Sequence, residues 1–126
     1  MRWLVDGMNV IGSRPDGWWR DRKGAQRRLA RELAAFAACT GDDVAVVFDG
    51  RPHECGASGV VVSFAVGGPD AADHEIARRV EANGAGRGVC VVTSDAELAS
   101  RARAAGADIE GSGTFRRRLD AGSRRF

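Results

Sequence analysis

No apolar run in this 126-residue chain approaches the ~20 residues that a bilayer span requires. No cationic, apolar, small-residue signal pattern opens it either, because Arg2 leads directly into a strand-like run and then Asp6. A cytoplasmic location is the expectation from these two absences. Cysteine is scarce. Cys39, Cys55 and Cys90 are odd in number and show no CxxC spacing, and the apolar contexts of Cys39 and Cys90 suggest buried thiols in a reducing compartment. Lysine is nearly missing, since every basic residue except Lys23 is arginine. Together with abundant Ala and Gly this indicates a GC-rich coding bias, so arginine content alone is a weak pointer to nucleic acid. Internal repeats, low-complexity tracts and long linkers are also absent, and the length fits one domain over residues 1–126.

What is present is a composition 44% hydrophobic and 29% charged, that of a globular protein. The net charge of +2 hides an uneven distribution. Residues 1–41 carry eight basic and four acidic groups, residues 42–113 six and twelve, and residues 114–126 five and one. An acidic middle between basic ends suits a cation site beside a polyanion-binding rim, or simply a solvated surface.

The apolar runs "RWLV" (2–5), "VAVVF" (44–48), "GVVVSFAV" (59–66) and "GVCVV" (88–92) have strand length and little polar alternation. Helical periodicity separates them. Leu29, Leu33 and Phe36 recur at helical spacing between Arg22 and Cys39, Ile76, Ala77 and Val80 within 71–82, and Leu98, Ala102 and Ala105 after Asp95. "ADI" (107–109) predicts a last short strand, "GSG" (111–113) a tight turn, and Thr114–Asp120 a final helical turn or two. Residues 7–21 predict a polar loop. Continuous apolar strands alternating with helices imply a parallel sheet covered on both faces, hence an α/β, three-layer, Rossmann-like sandwich with a central, mostly parallel sheet.

Three strands end in an acid: "WLVD" at Asp6, "VVFD" at Asp49 and "VVTSD" at Asp95. In an open α/β sheet the carboxyl ends share one edge, where ligands bind. Acids gathered there repel one another and raise their pKa values, and a hard divalent cation relieves that cost. The competing reading is that Asp after a strand is a common helix cap, with Asp95 before "AELAS" the most cap-like. Asp73 adds a fourth acid, because it shares the sheet-facing stripe of Ile76 and Ala77 at the start of its helix. First-turn dipole compensation is its alternative role. An aspartyl phosphatase would need a second acid two residues after the first, where this chain has Met8.

"VDGMNVIG", "VVFDG", "AADHEIARRV" and "VVTSD", in this order and spacing, resemble the YacP-like NYN domains, relatives of the PIN-domain nucleases, from about Leu4 to Leu119. The resemblance implies a PIN-like fold and a Mg²⁺- or Mn²⁺-dependent endoribonuclease site. It would cleave RNA in single-stranded or loop regions, including ribosome-associated mRNA, and leave a 5′-phosphate and a 3′-hydroxyl. Asp6, Asp73 and Asp95 match the family's acidic metal-binding positions, Asn9 the polar residue of the first motif, and Asp49 the acid closing the second strand. "GSGTFRRRL" resembles the Gly-x-Gly turn before a basic helix. The departure is at the end, where the family continues into a longer helix and this sequence stops at Phe126.

Further candidates for RNA contact are Arg116, Arg117 and Arg118, Ser94 beside Thr93, and Trp18 with Trp19. The arginines are either phosphate contacts or a solvated face. The indoles either stack on unpaired bases or cover the end of the next helix. His53 and His74 fit surface histidines better than a zinc pair. A PIN-like module that holds RNA or a protein without cutting is the other function these residues allow.

Overall fold

The computed structural model describes residues 1–82 and 86–123. Its elements, in chain order, are β1 (Arg2–Asp6), α1 (Gly7–Gly12), a 3-10 turn (Trp18–Arg20), α2 (Arg22–Thr40), β2 (Asp43–Asp49), β3 (Val60–Ala65), α3 (Ala71–Glu81), β4 (Val89–Val92), α4 (Ala96–Ala104), β5 (Asp108–Glu110) and α5 (Ser112–Ser123). The strands form one five-stranded sheet in the order β3-β2-β1-β4-β5, every neighbouring pair parallel. This is the α/β sandwich that the continuous apolar strands imply, since parallel strands covered on both faces need apolar residues on both.

The pleat sorts the side chains into two cores. Trp3, Val5, Val44, Val46, Phe48, Cys90 and Val92 face one side, where they pack with Leu29 and Leu33 of α2 and Phe115 and Leu119 of α5. Leu4, Val47, Val89 and Val91 face the other, against Ile76 and Val80 of α3 and Leu98 and Ala102 of α4. Trp3, Phe36 and Phe115 close the first core as a ring cluster with centroids 5.3–5.5 Å apart. α2 begins where Asp21 accepts the Gly24 N–H (3.0 Å) and ends at Gly41, whose φ of 74° is the left-handed stop that glycine provides. Among the described residues no helix is long and apolar enough to cross a membrane.

Connections from β1 to β2 run over the first face, and those from β3 through β4 to β5 over the second. The order therefore reverses between β1 and β4. That is the switch point at which the carboxyl ends of a doubly wound sheet open a crevice.

Two stretches depart from the sequence expectations. Residues 7–12 are a helix rather than loop, because Val10 and Ile11 bury against the first core. The "GSG" stretch is not a turn: α5 starts at Ser112 and runs to Ser123, longer than the turn or two expected. Cys39 is exposed, whereas Cys55 and Cys90 are buried. His53 is half-buried, its Nε2 2.6 Å from Gln26 Oε1, rather than a surface residue.

α1 lies so close to β2 that its first residue can carry no side chain. A Cβ on Gly7 would sit 2.4 Å from the Phe48 ring and 2.9 Å from Val46 Cγ2. Gly7→Ala is expected to destabilise the fold by about 1–3 kcal/mol, the usual range for overpacking. Denaturant unfolding measures it, and combining it with Phe48→Leu should recover part of the stability.

Candidate active site at the carboxyl edge of the sheet

Asp6 closes β1 at the centre of the sheet, with its side chain on the α3 and α4 face, and it is only 3% exposed. A carboxyl in that position loses most of its hydration. Burial, then repulsion from Asp73, push its pKa up to about 7, with Asp49 adding to the rise and a hydrogen bond from Thr93 opposing it. Asp73, in the first turn of α3, is also raised, first by burial and then by the charges of Asp95, Asp49 and Asp70. Asp6 and Asp73 are within hydrogen-bonding reach, a contact that favours the proton on Asp6 and the charge on Asp73.

The other two strand-end acids hold helices. Asp49 Oδ1 accepts the Ala72 N–H of α3 at 2.8 Å, a cap supplied from 23 residues away. Asp95 Oδ1 accepts the Leu98 N–H of α4 at 2.8 Å, the N-cap role that its sequence context suggests. In each the second carboxylate oxygen has no hydrogen-bond partner among the described residues. Thr93 ties the centre together: its hydroxyl donates to Asp6 Oδ2 (3.1 Å) and accepts the Asp95 N–H (3.1 Å).

Asn9 lies on α1, one turn beyond Asp6. Its Oδ1 accepts the Ser94 N–H at 2.8 Å and the Ser112 hydroxyl, while Ser94 Oγ accepts the Ser112 N–H at 3.0 Å. Asn9 and Ser94 thus join α1, the end of β4 and the start of α5. Ser112 carries no signal of this in the sequence, because a serine between two glycines has the look of a turn. Only the fold brings its hydroxyl beside the Asn of the first motif.

The arginine run is not one surface. Arg116 is buried and paired with Glu32 of α2 at 2.8 Å. Arg118 makes a two-pronged pair with Glu110 at 2.7 Å and lies 5.7 Å from the Trp3 ring centre. Of the three, only Arg117 is exposed without a carboxylate partner among the described residues. Trp18 packs on the first core, whereas Trp19 is 58% exposed. His74 is exposed beside Asp73, Asp95 and Arg101, which line a small cleft between the starts of α3 and α4.

The donors here suit a hard divalent cation: they are carboxylates on adjacent elements, where burial and mutual repulsion oppose the charge that a cation would neutralise. Among the described residues, no three Asp, Glu, His or Cys side chains are already gathered tightly enough to hold one. The chain offers a close pair, Asp6 and Asp73, flanked by Asp49 and Asp95, each with one uncommitted oxygen.

The YacP-like NYN domain family matches the chain over residues 3–126. Among solved structures, Rae1 (YacP) from Bacillus subtilis is similar, with a TM-score of 0.79 and 27% identity over 99% of this chain and 76% of that one. A tryptophan-to-leucine mutant of the same protein superposes with a TM-score of 0.78 and 28% identity, covering 99% and 77%. No curated protein matches the chain.

The raised pKa of Asp6 gives stability a direction with pH. Its folded value exceeds its unfolded one, so between them the folded state binds more protons, and stability falls as pH rises from about 4 through about 7. In metal-free buffer, melting temperatures are expected to decline over that window in the wild type. Asp6→Asn should flatten the decline and raise the melting temperature at pH 8.

Proposed function

The chain belongs to the YacP-like NYN domain family, a family of PIN-like nucleases, and from that premise we propose that it is an endoribonuclease dependent on Mg²⁺ or Mn²⁺. The observation that carries the reading is the nearly inaccessible Asp6 carboxyl at the sheet's switch point, with Asp73, Asp49 and Asp95 around it. A buried carboxylate facing a second carboxylate destabilises a fold unless something takes up the charge. A site that keeps them is built for a cation.

Asp6 and Asp73 would hold it, with the free oxygen of Asp95 reaching it directly or through water and Asp49 standing further out. A divalent ion bound there would neutralise the scissile phosphate and activate a water for in-line attack. The chain's own residues do the rest. Thr93 fixes the Asp6 carboxylate through a hydroxyl that is itself held by the Asp95 N–H. Asn9 keeps α1 and the β4 end in register, and its amide N–H groups, with no partner among the described residues, are free to donate to a phosphate oxygen. α3 and α4 both begin beside the cluster, and their N-terminal partial charges favour an anion. RNA is the substrate class, in single-stranded regions where the backbone can bend into a narrow cleft.

A non-catalytic binding module has one feature in its favour: Asp49 and Asp95 are each engaged in capping a helix. Cleavage separates the two readings. Asp6→Asn and Asp73→Asn are each expected to lower Mn²⁺-dependent cleavage of a labelled single-stranded RNA by 100-fold or more, on the order of the ~3 kcal/mol that removing an electrostatic stabiliser costs. Both proteins should remain folded by circular dichroism. No Mn²⁺-dependent cleavage by the folded wild type would leave the binding module as the better account, and wild-type rates in folded Asp6→Asn would show that cleavage does not come from this site.

A further inference from the structure

Many cations of this chain are already committed. Arg14, Arg78, Arg79, Arg101, Arg116 and Arg118 each meet a carboxylate at 2.5–2.9 Å. Among those with no carboxylate partner in the described residues, Arg2, Arg87 and Arg103 lie toward the amino edge of the sheet, away from the acids. Arg27 and Arg31 stand further along α2 and Arg117 on α5, while Arg20, Arg22, Lys23 and Arg51, also exposed without a carboxylate partner, fall in two stretches, the start of α2 with its preceding turn and the loop that leaves β2.

Those two stretches meet at the catalytic edge. The Arg22 guanidinium donates to the Asp49 backbone carbonyl at 3.2 Å, so the start of α2 lies against the carboxyl end of β2. Arg51 follows Asp49 by two residues, across Gly50 with its φ of 113°. Just before Arg20 stands Trp19, 58% exposed. Its ring is braced edge-on by Trp18, 6.0 Å away, and Trp18 itself packs on the core. The turn is also fixed at its far side, where the Asp21 N–H donates to the Trp18 carbonyl (3.2 Å) and the Asp21 carboxylate caps α2. An exposed indole on a rigid mount beside unpaired cations has the parts of a single-strand platform: a π-face for a base and point charges for its phosphates.

We propose that Trp19, Arg20, Arg22, Lys23 and Arg51 form the track that carries single-stranded RNA to the Asp6–Asp73 pair. The inference rests on RNA being the substrate of that pair. It moves the main RNA contact from the arginine run of α5 to the opposite flank of the site. The track also answers an electrostatic need, because the acidic cluster repels phosphates, and cations beside Asp49 offset that repulsion where the strand enters.

The test uses the full chain and a 5′-fluorescein single-stranded RNA, with chelator present so that nothing is cut, at several salt concentrations. Arg20→Gln/Arg22→Gln/Lys23→Gln/Arg51→Gln is expected to make the log–log salt dependence shallower by up to about 3, at roughly 0.7 for each single-strand phosphate that the variant no longer neutralises. Trp19→Ala should weaken binding about 10-fold or more without changing the slope, and Trp19→Phe should restore most of it. Should the fourfold variant fail to fold, the triple variant that keeps Arg22 gives the same reading at a smaller shift. An unchanged slope in the folded variant, wild-type affinity in Trp19→Ala, or no RNA binding by the wild type would each overturn the track. Mn²⁺-dependent cleavage of the same RNA by the wild type is measured beside it. Cleavage without either binding effect rejects the track and leaves the nuclease standing; both effects without cleavage keep the track and reject the nuclease.

Discussion

A buried carboxyl that cannot ionise freely sets the terms for the rest of this molecule. Asp6 ends the central strand of a parallel sheet, nearly inaccessible to water, with a second carboxyl in contact and two more within electrostatic reach. Desolvation and mutual repulsion act in the same direction, against charge. The fold tolerates this because the neighbouring groups are fixed by bonds of their own. Asp49 and Asp95 are held by the N–H groups of α3 and α4, and Thr93 links Asp6 to the Asp95 backbone. The repulsion is thus confined to a place that the rest of the structure keeps rigid.

Asn9 and Gly7 extend that rigidity to the other face of the sheet. Gly7 lets α1 pass directly over Phe48, and Asn9 then fastens α1 to the β4 end and to Ser112. The short "VDGMN" stretch therefore has three jobs: an acid at the site, a residue with no side chain at a close approach, and an amide that locks three elements. An ordinary turn in its place would supply none of them.

Much of the fold is legible in the sequence because parallel strands leave a plain signature. "VAVVF" and "GVCVV" are apolar on both faces, and the Leu29–Leu33–Phe36 spacing marks α2 without ambiguity. What escapes is decided by distant contacts. α1 has two glycines and an asparagine in six residues, poor helix formers that are held by the burial of Val10 and Ile11. Ser112 starts α5 because Ser94 and Asn9 accept its donors. The arginine run reads as one basic patch in sequence, yet Arg116 finds Glu32 across 84 residues and Arg118 finds Glu110. At the site, the strand-end position of the acids is legible, and so is the capping role of Asp95 as its alternative. The cap that Asp49 places on α3 depends on the packing of α3 and has no local signal.

The central claim is that the proton Asp6 holds up to about pH 7 stands in the place of a cation. Calorimetric titration of Mn²⁺ into the metal-free protein at pH 6, repeated in buffers of different ionisation enthalpy, counts the protons released on binding. With Asp6 near a pKa of about 7, the account expects close to one proton per Mn²⁺ in the wild type and none in Asp6→Asn, which should also bind far more weakly. Mn²⁺ binding that releases no proton, or that Asp6→Asn leaves unchanged, would contradict it.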